Sequence, residues 1–181
     1  MKVFAISGPS GVGKGSVIQE LLKQHPDYAL SISYTTRQKR AAEIEGKDYF
    51  FISNADFDKK IAKGEFIEWA QVHGNRYGTT LAQLEILKKG QKVVIVELDV
   101  QGAMNLKNRL SDSVSIFIEP PDFETLSKRL SGRKTETKEE MDLRLSNAAN
   151  ELELGKQFDY QIVNDDLRET AQKIADIITN Q

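Results

Sequence analysis

Apolar residues follow two rhythms along the 181-residue chain. Nearly unbroken apolar runs at Val3–Ile6, Val93–Val96, Val114–Ile118 and Tyr160–Val163 read as short strands. Runs without alternation suit strands covered on both faces, which predicts a parallel sheet. Elsewhere the apolar spacing is three and four, the helical period. Val17, Ile18, Leu21 and Leu22 follow Gly15, and Phe123, Leu126 and Leu130 follow Pro121-Asp122. Leu167, Ala171, Ile174 and Ile178 share one face behind Asp166, a capping residue type. Thr137 with Glu140 fits a capping box that opens a helix to about Leu154. Strand and helix in alternation predict an α/β fold, a parallel sheet core flanked by helices.

The stretch from about 32 to 79 breaks this alternation. Asp48–Ile52 and Glu65–Trp69 are aromatic-rich and strand-like, with a short helix, Ala55–Lys63, between them and a turn at His73-Gly74-Asn75. This reads as a small α+β insertion. A second polar stretch, about 130–144, carries Gly132 and reads as a short lid. The remainder, about 1–31, 80–129 and 145–181, forms the core of a single domain over 1–181, without internal repeat or linker.

Composition narrows the function classes. With 25 basic and 27 acidic residues the net charge is −2, which lacks the basic excess of a general nucleic-acid binder. The absence of Cys excludes disulfides, Cys-zinc sites and thiol nucleophiles. Two histidines, His25 and His73, are too few for a His-rich metal cluster. The run Val93–Val96 stops at Glu97, far short of a membrane span, and the apolar start at Val3–Ile6 is too short for a signal peptide. A cytoplasmic protein is the expectation.

Gly8-Pro9-Ser10-Gly11-Val12-Gly13-Lys14 lies between the first strand and the first helix, the context a phosphate-binding loop of the P-loop NTPases requires. Glycines let backbone N–H groups turn toward phosphate oxygens, and the helix N-terminus adds the positive end of its dipole. Lys14 brings a full charge to the β- and γ-phosphates of ATP. Candidate ATP-binding residues are therefore Gly8, Pro9, Ser10, Gly11, Val12, Gly13, Lys14, Gly15 and Ser16. Gly15 stands where Ser or Thr usually follows the lysine, so the first hydroxyl offered to Mg²⁺ is that of Ser16. Gly-Lys-Gly before a hydroxyl resembles the loop of nucleoside monophosphate kinases.

The insertion adds Ser33-Tyr34-Thr35-Thr36-Arg37, Arg40, Gly46-Lys47-Asp48-Tyr49, Glu65–Ala70 and Gly74–Thr79. With Glu97–Gly102, Arg129–Arg133, Thr135-Glu136-Thr137 and Val163–Asp166, these blocks resemble guanylate kinase over nearly the whole chain. The residues make chemical sense for GMP. Arg37 and Arg40 offer planar forks to a dianionic phosphate, and Tyr49 and Tyr77 add hydroxyls. A carboxylate such as Glu68 accepts from guanine N1–H and N2–H, and faces a lone pair on adenine N1. Ser33 and Thr79 complete the base contacts. Unpaired polar groups make such a site reject the wrong base by up to ~10⁴-fold. The resemblance places Ser33, Arg37, Arg40, Tyr49, Glu68, Tyr77, Thr79 and Asp99 at GMP-contacting positions. Asp99 serves either GMP or magnesium-bound water.

Arg129 and Arg133 are four residues apart, and Arg144 follows on the next helix. The resemblance implies a lid that delivers arginines to the transferring phosphoryl group, with Arg129, Arg133 and Asn164 as further ATP contacts and Asn164 placed at adenine. Lys14, Arg37, Arg133 and Arg144 are the candidate catalytic residues. The implied reaction is in-line transfer of the ATP γ-phosphoryl to GMP or dGMP, with Mg²⁺ entering with ATP; no protein partner is indicated. It needs no general base, because a phosphate monoester has a second pKa near 6 and is already anionic. Two other readings share parts of the pattern. One is a guanylate-kinase-like interaction module without turnover, the other a P-loop kinase with a different phosphorylated acceptor.

Overall fold

The computed structural model describes residues 2–72, 74–90, 93–131 and 138–181. In chain order the first elements are β1 (Lys2–Ser7), α1 (Lys14–Gln24), β2 (Tyr28–Ser31), β3 (Tyr34–Thr35) and β4 (Phe50–Phe51). Then come α2 (Asn54–Ala62), β5 (Phe66–Val72), β6 (Asn75–Thr80), α3 (Leu81–Gly90), β7 (Val93–Glu97) and α4 (Val100–Arg109). The last are β8 (Val114–Glu119), α5 (Phe123–Ser131), α6 (Lys138–Gly155), β9 (Tyr160–Val163) and α7 (Leu167–Thr179). The fold is α/β, with a parallel sheet flanked by helices.

Two units can be distinguished, Met1–Ala5 with Asp27–Val114, and Ile6–Pro26 with Ser115–Gln181. Strand β1 contributes to both, and the sheet order is β2-β7-β1-β8-β9. In the first unit β2 and β7 run parallel, from Tyr28 opposite Val93 to Ser31 opposite Val96. In the second, β8 and β9 run parallel, from Ile116 opposite Tyr160 to Glu119 opposite Val163. Val94, Ile95, Val96, Ile116, Phe117 and Ile118 are all buried, which is why the strands read as unbroken apolar runs.

The first unit also holds a four-stranded sheet in the order β4-β3-β6-β5. Helix α2 packs on it through Phe57, whose ring is fully buried and stacks on Phe66 at 4.4 Å. Burying such a ring contributes about 3 kcal/mol. Ser53 caps α2 by accepting from Asp56 N–H. In the second unit α7 buries Ala171, Ile174, Ala175 and Ile178, and α1 buries Val17, Ile18 and Leu21. Asp166 accepts from Arg168 and Glu169 N–H, the cap expected from sequence.

One expected strand is mostly absent. Of Asp48–Ile52 only Phe50–Phe51 forms a strand, with Tyr49 in an isolated bridge to Glu45. Asp48 is taken by a turn instead: its carboxylate accepts from Ile44 N–H at 2.7 Å, and Gly46 N–H bonds Tyr49 O at 2.9 Å. The expected helix opening at Thr137 and the turn residue His73 lie outside the described residues.

Candidate active site

The second unit builds a phosphate loop between β1 and α1. Gly13 occupies the N-cap of α1 at φ 97°, and no side chain caps the helix. Its first N–H groups lie at the positive end of the dipole, an arrangement that can bind an anion. Lys14 arches back over the loop, its ammonium donating to Gly8 O at 2.5 Å and to Pro9 O at 3.4 Å. These carbonyls park the charge without neutralising it. Ser10 is half-buried, while Gly15 and Ser16 are exposed.

Helix α5 is anchored beside the loop by Leu126 and Leu130, which form a buried cluster with Ala148 of α6. That anchoring presents Arg129, whose guanidinium donates to Val12 O at 3.3 Å. Asn164, just past β9, donates to the same oxygen at 2.7 Å. Arg144 is half-buried on α6, and Arg133 lies outside the described residues.

The first unit gathers a different set. A register shift between Phe66 and Glu68 interrupts the β5–β6 pairing. Bulges of this kind re-aim side chains, and here Phe66, Ile67 and Glu68 are all buried. The Glu68 carboxylate accepts from Thr79 N–H at 2.8 Å. Ser33 Oγ and Thr79 Oγ1 lie 3.4 Å apart, both buried. Burial pushes the Glu68 carboxyl up to about 8, helped by the charge of Asp99 and opposed by its bonds to Thr79. Asp99 caps α4, accepting from Gly102 N–H at 2.9 Å. A Cβ on Gly102 would stand 2.8 Å from Asp99 Oδ1 and 2.9 Å from Glu68 Oε2, so both carboxylates converge on that glycine.

Beside these lies a cationic, aromatic group. Arg37 meets Glu43 through two bonds of 2.6 and 3.1 Å. Its guanidinium lies over the rings of Tyr49 and Phe51, at 5.5 and 5.7 Å. Tyr49 and Tyr77 meet edge to face at 5.9 Å. Bonding to Glu43, and less strongly to Tyr77, raises the Arg37 pKa further, and Arg37 in turn lowers that of Glu43. Burial, reinforced by the charge of Glu97, pushes the Tyr49 hydroxyl up to about 12, so it stays a neutral donor. The Arg40 side chain is mostly exposed, while its N–H is held by Glu43 at 2.8 Å. Glu43 was not among the residues expected from sequence. Its place three residues after Arg40 is the signal that marks it.

Among the described residues no group of three acidic, His or Cys side chains is arranged to hold a metal.

The guanylate kinase family profile matches residues 1–181. The chain belongs to the guanylate kinase family. It is 44% identical to a guanylate kinase of Clostridioides difficile over 180 residues, covering 99% of this chain and 87% of that one. It is 46% identical over 178 residues to a guanylate kinase of Prochlorococcus marinus, covering 98% and 96%. The crystal structure of guanylate kinase from Anaplasma phagocytophilum superposes with a TM-score of 0.82 at 35% identity, covering 99% of this chain and 85% of that one. A shikimate kinase from Acinetobacter baumannii shares the fold alone, with a TM-score of 0.52 at 16% identity. Guanylate kinases therefore match this chain from end to end, with both residue groups inside the matched region.

Proposed function

We propose that this chain transfers the γ-phosphoryl of ATP to GMP, and to dGMP, giving ADP and GDP or dGDP. It works as a nucleoside monophosphate kinase in purine nucleotide metabolism. The buried Glu68 carboxylate carries the choice of acceptor. It has about four lone-pair sites, of which the N–H and hydroxyl of Thr79 take two. The remainder accept from guanine N1–H and N2–H, and Ser33 and Thr79 supply hydroxyls to the same base. Arg37, Arg40, Tyr49 and Tyr77 bind the acceptor phosphate, and Glu43 holds Arg37 in position. Asp99 supports this pocket through the cap of α4.

On the donor side, Gly8–Ser16 and Lys14 cradle the phosphates, and Arg129 and Arg144 add charge as it develops in the transition state, with Arg133 beside them in sequence. Catalysis is positioning and charge stabilisation, because the acceptor oxygen is already anionic. Ser16 offers the hydroxyl that would hold an Mg²⁺ arriving with ATP, and the ion would supply neutralisation of phosphate charge. No helix among the described residues is long and apolar enough to cross a membrane. The proposed setting is the cytoplasm.

The test is ADP formation from Mg-ATP with GMP, dGMP, AMP, CMP, UMP or no acceptor. Turnover confined to GMP and dGMP is expected. Glu68→Gln replaces two acceptor oxygens by one acceptor and one donor, and is expected to lower kcat/KM for GMP by ~10²–10³-fold, the scale of losing a specific polar contact to substrate. The ATP KM stays within about twofold, since Glu68 touches nothing on that side. Equal losses on both substrates would remove Glu68 from base recognition.

A further inference from the structure

The carbonyl of Val12 receives two donors from separate elements. Asn164 gives Nδ2–H at 2.7 Å and Arg129 gives Nη1–H at 3.3 Å. Asn164 is itself fixed, its backbone N–H bonding Glu119 O at 2.8 Å. It is 7% exposed, and the Val12 side chain is fully buried, so the contact is sheltered from water. Among the described residues no peptide bond is cis, and in a trans peptide C=O and N–H point to opposite sides. Holding Val12 O toward Asn164 and Arg129 therefore turns Gly13 N–H away from them. Gly13 sits at φ 97°, and a Cβ there would stand 3.0 Å from Asn164 Nδ2. The amide of Asn164 thus fills the space a side chain at position 13 would need.

We propose that Asn164 is a positioning residue that sets the Val12–Gly13 peptide plane of the phosphate loop and aims Gly13 N–H at the donor's phosphates, rather than a reader of the adenine base. This rests on the phosphate-loop reading above. A fixed amide stabilises charge without reorganising when the charge arrives. Removing the Asn164 amide leaves Arg129 alone on Val12 O and lets the peptide rotate. The loss falls on the phosphates, which every nucleoside triphosphate shares, and a base contact would instead penalise ATP selectively.

The deciding probe is Mg-tripolyphosphate, which carries the phosphates and no base, used as a competitor of ATP. Asn164→Ala, and Asn164→Asp, which keeps the shape but loses the donor, are each expected to raise the ATP KM and the tripolyphosphate inhibition constant together. The expected rise is about tenfold, the scale of one well-made hydrogen bond. The GMP KM stays within about twofold, which a general loss of structure would not allow. A raised ATP KM with an unchanged tripolyphosphate constant would overturn the proposal in favour of base reading. Lys14→Ala separates the two layers of the argument. If it leaves tripolyphosphate inhibition intact, the phosphate-loop reading itself fails. If it abolishes inhibition while both Asn164 variants keep it, only the present proposal fails. Should neither variant fold, the Gly13 amide resonance in ¹⁵N-labelled wild type decides: it moves downfield with Mg-tripolyphosphate under the proposal, and an unmoved resonance overturns it.

Discussion

Under the proposed reading, Glu68 is a single buried acid that couples recognition to protons. Without GMP its carboxyl titrates at about 8, because burial penalises the charge more than Thr79 compensates it. Guanine needs the ionised form, since both of its facing groups are donors. A group mostly protonated at pH 7 in the free protein and ionised in the complex must release its proton on binding. Calorimetric titration of GMP at pH 7 in two buffers of different ionisation heat is expected to report the release of about one proton per GMP. GMP affinity is expected to rise from pH 7 to about 8 and then level off. Over that range the GMP phosphate contributes little, with its second pKa near 6. Glu68→Gln should show neither effect, and a buffer-independent heat for wild type would mean that Glu68 is already ionised before GMP arrives. The residue type and its neighbours were legible from sequence. The sign of its titration was not, because that depends on the burial created by the β5 bulge.

At the scale of elements, legibility mostly followed burial. The four apolar runs became β1, β7, β8 and β9 with bounds shifted by at most one residue at either end; β1, β7 and β8 are mostly buried, while β9 buries only Ile162. Sequence spacing missed the partly polar elements. Strand β2 has only Ser31 buried, and α4 sets Val100, Ala103 and Leu106 among polar residues. Asp48–Ile52 failed for another reason, since a side-chain acceptor competed for the backbone and won. Helical glycines make the packing testable. Gly15 in α1 has no atom within 4 Å of where a Cβ would stand, whereas Gly102 in α4 has two carboxylate oxygens inside 3 Å. Gly15→Ala is therefore expected to stabilise α1 by up to about 1 kcal/mol, the propensity difference between the two residues. In a chain of this length that raises Tm by roughly 2–4 °C. Gly102→Ala gains the same propensity but drives a methyl into Glu68 and Asp99, and should lower Tm and raise the GMP KM. If the two substitutions shift Tm alike in thermal melts, the convergence of carboxylates on Gly102 is not a packing constraint.

At the scale of the whole molecule, composition excluded classes of function, and motifs named the chemistry. The insertion read at about 32–79 already holds all of the acceptor-site residues but Asp99; neither showed that 80–114, with Asp99, joins the same unit. Ser33, Arg37, Arg40, Tyr49, Glu68, Tyr77, Thr79 and Asp99 all fall within Asp27–Val114. The loop from Gly8 to Ser16, with Arg129, Arg144 and Asn164, falls within Ile6–Pro26 and Ser115–Gln181. Such a partition follows from contacts distant in sequence, which local patterning does not encode. It has a thermodynamic consequence, because a ligand stabilises against opening only those segments whose native contacts it needs. Binding at 100 times Kd adds about 2.7 kcal/mol to an opening that destroys the site, and nothing to one that leaves it intact. Hydrogen exchange with GMP alone should therefore slow peptides covering 33–40 and 66–80, and leave those covering 8–16 and 160–166 unchanged. ADP alone should do the reverse. Slowing of both sets by either nucleotide would mean that the units open together as one cooperative body, and that each nucleotide borrows stability from the other's site. Separate protection would mean that each nucleotide orders its own half before the phosphates meet, which suits an enzyme that must keep ATP from water until GMP is bound.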